Sequence, residues 1–167
     1  MIFSLADHIE QIKAGTKTQT RRPSDKYKVG SLYAVQPGRG QHGIPEGKIL
    51  IRAKIVEEKH SNPMWYRVLP DAAKAEGGYT PEEYEALYEK MYPGWTTRWA
   101  YLFCWYPTEV IDLVERGELD AACSLLATIN GAVNLRGGRY EDLEPGLQQI
   151  LQSPRRVASN KRTEGKK

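Results

Sequence analysis

Residues 1–23 read MIFSLADHIEQIKAGTKTQTRRP, and the order of residue types in that stretch decides the fold. Ile2 and Phe3 form a short extended apolar pair. Ser4 is placed to cap a helix in which Leu5, Ile9 and Ile12 recur at i, i+4 and i+7, the spacing of one helical face. Gly15 ends that helix, because glycine takes the left-handed conformation that a helix stop requires. The next seven residues, TKTQTRR at 16–22, alternate β-branched threonines with Lys17, Gln19 and Arg21, then Pro23, Ser24 and Asp25 break the element. The reading is a helix that turns directly into a polar strand rich in hydrogen-bond donors.

Beyond it, Gly30 leads into a strand over 32–35, and a run of Gly and Pro from Pro37 to Gly47 marks a long loop carrying Arg39 and His42. KILIRAKIVEE, residues 48–58, alternates as a half-buried strand should. Ile49, Ile51, Ala53 and Ile55 are assigned to a core face, and Lys48, Leu50, Arg52 and Lys54 to a basic one. After Pro63 come Trp65 and Tyr66, read as packing under the loop or as a base-stacking pair. Residues 68–75 predict a short helix interrupted by Gly77 and Gly78. Thr80 then caps a helix opening on Pro81, Glu82 and Glu83, with Tyr84, Leu87, Tyr88 and Met91 as its buried stripe. In the strand that follows, Trp99, Tyr101, Phe103 and Trp105 share one face, a pattern more typical of sheet packing than of a nucleic-acid platform. From residue 108 the periodicity is helical, with Ile111, Leu113, Val114 or Glu115, Leu119 and Leu125 as candidate contacts, and the basic stretch after Ser153 is too poor in apolar residues to fold alone.

A chain of 167 residues suits one domain plus an appendage. With 40% apolar and 27% charged residues it is neither collagen-like nor wholly disordered. No run approaches the roughly 18 apolar residues of a membrane span, and the acidic opening lacks a secretory pattern, so the expected setting is cytoplasmic with no membrane partner. Cys104 and Cys123 stand in no CxxC pair, and His8, His42 and His60 are scattered singly, so no metal and no cofactor is expected. Residues 1–60 hold 11 basic and 6 acidic side chains, residues 61–120 hold 5 and 11, and residues 121–167 hold 8 and 4. A basic first third is the electrostatic footprint of a nucleotide or nucleic-acid partner, or of a solvated surface.

The helix followed by Gly15, Thr16, Lys17, Thr18, Gln19, Thr20, Arg21 and Arg22 resembles the hallmark G-x-K-T-x-T-x-R of ASCH domains, small β-barrels related to the PUA RNA-binding fold. KTQTRR after IFS is similar to the variety found in phage-borne members. Tyr27-Lys28-Val29-Gly30 matches the usual Y-x-x-G, and the acidic segment 76–92 ending in YPG and the terminal aromatic strand extend the likeness over residues 1–106. Ser31 stands where the family commonly has Asp, and residues 107–167 have no counterpart in the minimal domain. The resemblance implies an α+β fold: a PUA-like barrel with flanking helices over 1–106, a helical extension over 107–152, and a basic disordered tail over 153–167.

It also implies a reaction, because bacterial members hydrolyse the amide of N4-acetylcytidine without a metal. Their catalytic Lys and Thr match Lys17 and Thr20, and their catalytic Glu is best matched by Glu76, with Glu82 or Glu83 as substitutes. A threonine nucleophile needs a base, and lysine serves when burial or nearby cations lower its proton affinity. In a straight strand residues 17 and 20 point to opposite faces, so the motif is expected to bend near Gly15. Thr18, Arg21, Arg22, Arg52, Lys54 and Arg98 are the candidates for holding an acylated nucleoside or RNA. The other two readings are an RNA-binding module that performs no chemistry and an adaptor whose helical extension recruits a partner.

Overall fold

In the computed structural model, residues 1–58 and 68–133 are described, and they fold as an α+β assembly. In chain order the elements are α1 (Ala6–Lys13), β1 (Gln19–Arg22), β2 (Leu32–Ala34), β3 (Gly47–Glu58), α2 (Pro70–Ala75), α3 (Pro81–Met91), β4 (Thr97–Pro107), α4 (Thr108–Glu115) and α5 (Leu119–Val133). Trp65, Tyr66, His60, the end of the helical extension and the basic tail lie outside the described residues.

The four strands make one sheet in the order β1-β4-β3-β2, antiparallel throughout. Ile2 forms a parallel bridge to Gln36, just past β2, and its carbonyl accepts from Arg22 Nη2 on the opposite edge strand at 2.6 Å. The amino-terminal segment thus touches both ends of the sheet order, near β2 through the bridge and at β1 through Arg22.

Two cores result. One face of the sheet carries Ile49, Ile51, Tyr101 and Phe103 against Met1, Phe3, Ile12 and Val35, with Trp99 and Trp105 partly buried beside them. The aromatic row on β4 is therefore sheet packing. The other face carries Leu50 and Tyr106, covered by Val110, Ile111 and Val114 of α4 and Ala122 and Leu126 of α5. Leu113, Leu119 and Leu125 pack partly buried against that core, as their helical spacing predicted.

The strict alternation expected of β3 fails at one point. Ile51 pairs with Phe103 but Ala53 pairs with Leu102, so Arg52 is an inserted residue, a β-bulge. Residues beyond it change faces, since cross-strand partners share a face. Leu50, assigned to a basic face, is fully buried in the second core, whereas Ile55, assigned to the first core, is 49% exposed. The basic face is split: Arg52 lies exposed at the bulge with Nη1 3.7 Å from Cys104 Sγ. Lys54 turns to the aromatic side, over the Trp99 ring and paired with Asp25 at 2.9 Å.

Helix boundaries follow local chemistry with two adjustments. Leu5, not Ser4, is the residue before α1, no side-chain cap forms there, and Leu5 stays partly exposed. At α3 the capping box is complete: Thr80 Oγ1 accepts from Glu83 N, and the Glu83 carboxylate accepts from Thr80 N. Tyr84 and Tyr88 of its stripe are buried, but Met91 is exposed. Among the described residues, no helix is long and apolar enough to cross a membrane.

Candidate active site

The motif begins where α1 stops. Gly15 takes a φ of +70°, and Thr16 N and Lys17 N both donate to Gln11 O, so the chain turns back on the helix before β1 starts at Gln19. The motif thus bends just after Gly15, where the sequence reading placed a turn. Thr18, exposed itself, is fixed through its backbone: its N–H donates to Ala75 O at 3.0 Å and its carbonyl accepts from Phe103 N at 2.9 Å.

The hinge after α2 supplies the partner. Glu76, the residue that ends α2, is 2% exposed, and so is Lys17. The Lys17 ammonium donates to the Glu76 carbonyl oxygen and lies 3.5 Å from Glu76 Oε2. Glu76 Oε1 accepts from Arg21 Nη1 at 3.0 Å. Arg21 is in turn gripped by Glu57, Nε to Oε2 at 2.7 Å and Nη2 to Oε1 at 2.9 Å, a bidentate pair. Gln19 shares the strand face of Arg21, and with its amide oxygen turned to the guanidinium it accepts from Nη1 at 2.8 Å and Nη2 at 3.2 Å. The Tyr84 ring stacks on Arg21 at 5.3 Å.

The loop that carries Glu76 is tied to α1. Gln11 Nε2 donates to Gly77 O at 3.3 Å, and His8 Nε2 lies 3.0 Å from the Tyr79 hydroxyl. Gly77 has φ +138°, a conformation that L side chains rarely adopt, and a Cβ there would also press on the ends of Gln11 and His8, at 2.9 Å from Oε1 and 3.0 Å from Nε2. Burial first, then the charges of Lys17 and Arg22, hold the His8 imidazole down at about 4, which keeps it neutral at physiological pH. The same causes act on Lys17. Burial dominates and Arg22 and Arg21 add to it, and although Glu76 pulls the other way the pKa falls to about 8.

Thr20 pairs with Tyr101 and so faces the first core, the side where the Phe3 ring lies 5.9 Å from Lys17 Nζ and 5.3 Å from Arg22 Cζ. The structure therefore brings Lys17, Arg21 and Glu76 together in one ion-paired cluster, with Thr20 and Arg22 on the adjoining face of β1. Glu82 and Glu83 are exposed on α3, and Glu83 is occupied as the helix cap.

Other candidates fall elsewhere. Arg98 neither opens onto a ligand nor lies in solvent: it is fully buried, its guanidinium bound at two nitrogens by Glu85 at 2.8 and 2.7 Å and stacked 4.0 Å from the Tyr88 ring. Arg52 stands exposed at the bulge, and Lys54 lies across Tyr101 from Thr20, engaged by Asp25 and the Trp99 ring. The sequence reading missed Gln19, Glu57, Gly77 and the His8–Tyr79 pair. Shared strand parity with Lys17 and Arg21 marks Gln19, whereas Glu57 was hidden by the bulge. Among the described residues, no group of three His, Cys, Asp or Glu side chains is placed to hold a metal ion.

No protein-family profile matches the chain, and no curated protein does. Among solved structures, the crystal structure of a point mutant of ZmASCH from Zymomonas mobilis is similar to it, with 14% identity over 68% of this chain and 78% of that one. The TM-score is 0.40, a loose likeness that decides nothing about the site.

Proposed function

We propose that this chain is an ASCH-type, PUA-like domain that hydrolyses the amide of N4-acetylcytidine or a related acylated nucleoside, with Thr20 as nucleophile, Lys17 as base and Glu76 as the carboxylate that holds Lys17. The observation that carries this reading is the Lys17 ammonium: buried, bound by the backbone and side chain of Glu76, and tuned to about 8. A lysine in that range gives up and takes back a proton near neutral pH, as a base for a threonine hydroxyl must.

In the proposed cycle Lys17, as the neutral amine, takes the Thr20 hydroxyl proton while Oγ1 bonds to the acetyl carbon. That proton passes to N4 as the C–N bond breaks and cytidine leaves. Water then attacks acetyl-Thr20, losing a proton to Lys17, and the proton returns to Thr20 Oγ1 as acetic acid departs. One amide and one water become one acid and one amine, with the protein restored. Cys104 and Cys123, neither in a disulfide, accord with a reducing, cytoplasmic setting.

The competing RNA-binding reading needs cations open to phosphate, but Lys17 and Arg21 are buried and ion-paired. The deciding measurement follows N4-acetylcytidine by ultraviolet absorbance with the full chain. Wild type should deacetylate it, and Thr20→Ala and Lys17→Ala should each lose about a thousandfold or more in rate while remaining folded. Undiminished rates in either variant, or an inactive wild type, would overturn the mechanism.

A further inference from the structure

Thr20 and Arg22 are two residues apart on β1, so both side chains leave the strand on the face of their partners Tyr101 and Trp99. Arg22 is anchored at both terminal nitrogens, Nη2 to Ile2 O at 2.6 Å and Nη1 to the Tyr92 hydroxyl at 3.3 Å. Its guanidinium and the Lys17 ammonium flank one ring, Phe3, at 5.3 and 5.9 Å. Of its three nitrogens Nε is the one that is buried with no hydrogen-bond partner among the described residues.

A buried N–H without an acceptor is costly, because it has given up its bond to water for nothing. With two nitrogens tied down, the guanidinium cannot rotate to relieve it. Arg21, the neighbouring arginine of the motif, is in the opposite condition: Nε and both terminal nitrogens are engaged by Glu57 and Glu76, so it has little to offer a substrate. Of the two, only Arg22 holds an idle, preoriented donor, and it does so on the strand face of Thr20.

We infer that Arg22 Nε–H is the donor that receives the acyl oxygen of the substrate, fixing the carbonyl against Thr20 and stabilising the oxyanion of the tetrahedral intermediate. This rests on the amide hydrolysis proposed above. As the Oγ1–C bond forms, the carbonyl π pair moves onto oxygen and is held by Nε–H. It returns to re-form C=O as the C–N4 bond breaks, and Arg22 keeps its proton throughout. A donor that acts mainly on developing charge raises the rate more than it tightens ground-state binding.

The test uses the full chain and two probes, N4-acetylcytidine and the analogue in which the acetyl carbonyl is replaced by a methylphosphonamidate, a stable tetrahedral anion. Arg22→Lys keeps the charge but loses the placed Nε–H. Its kcat should fall about a hundredfold with KM nearly unchanged. In nitrogen-15 spectra of the wild-type protein, the Arg22 Nε–H proton should move downfield when the analogue binds, a readout that does not depend on how any variant folds. Wild-type kcat in Arg22→Lys, or an unmoved Nε–H resonance in a protein that hydrolyses the substrate, would overturn this assignment while leaving the Thr20–Lys17 mechanism intact. An inactive wild type would overturn both.

Discussion

Replacing Lys17 with Met should remove a pH dependence of stability that the wild-type protein shows between pH 8 and 10. In the folded chain the Lys17 pKa lies at about 8, chiefly through burial, whereas the unfolded chain has the ordinary value of 10.5. Between those values the unfolded state binds more protons, so stability rises with pH across that window and is lost as pH falls toward 8. With one site and these two values, the gain from pH 8 to pH 10 is about 2 kcal/mol. Above pH 10 the sign reverses, because burial raises the hydroxyls of Tyr84 and Tyr88, the latter to about 12, and the unfolded chain then loses protons first. The amino terminus, lowered to about 6 mainly by burial, acts mostly below pH 8 and does so in both proteins. Methionine keeps the aliphatic stem and drops the charge. Urea unfolding followed by tryptophan fluorescence at pH 8, 9 and 10 gives the comparison: a rising midpoint in wild type, a flatter one in Lys17→Met. Equal slopes would refute the idea that Lys17 is a desolvated ammonium with a depressed pKa, and with it the basis for its role as base.

Three further outcomes are expected. Glu76→Gln removes the carboxylate that raises the proton affinity of Lys17, so the acidic limb of the kcat/KM profile should move below about 8 as the rate falls, and a limb that stays or moves up would refute the pairing. A fragment ending at Tyr106 should be unfolded or insoluble in thermal and light-scattering assays, because α4 and α5 cover Leu50 and Tyr106 in the second core, and a stable, active fragment would show that these helices are dispensable. Salt titration of hairpin RNA should give weak binding, because Lys13, Arg21, Lys54 and Arg98 are each ion-paired within the protein, and tight binding with a steep slope would favour the RNA-binding alternative.

Local sequence was legible wherever a single element decides its own structure. Thr80, Pro81 and Glu83 announce α3 because a capping box needs only four residues, and the β4 aromatics alternate because nothing interrupts the pleat. Arg98 was illegible for the opposite reason: its partner Glu85 sits thirteen residues away on another element, and a lone Arg before a strand does not show whether it will be buried. The proximity of Lys17 and Glu76 came from motif resemblance, since no periodicity links positions fifty-nine residues apart. The bulge at Arg52 left no local mark, as the pattern Ile49, Ile51, Ala53, Ile55 continues unbroken through it.

That bulge sets the charge balance of the interior. In straight alternation Glu57 would share a face with Ile49 and Ile51, and Val56 would lie opposite Arg98. The extra residue turns Glu57 to the Arg21 side instead, opposite Arg98 in the register. The ion-paired cluster then holds two buried cations, Lys17 and Arg21, and two carboxylates, the buried Glu76 and the partly exposed Glu57. Without the offset it would carry one uncompensated positive charge, and Glu76 alone would be shared between a guanidinium and an ammonium. The carboxylate that grips Arg21 from the far side is thus delivered by a one-residue slip in β3.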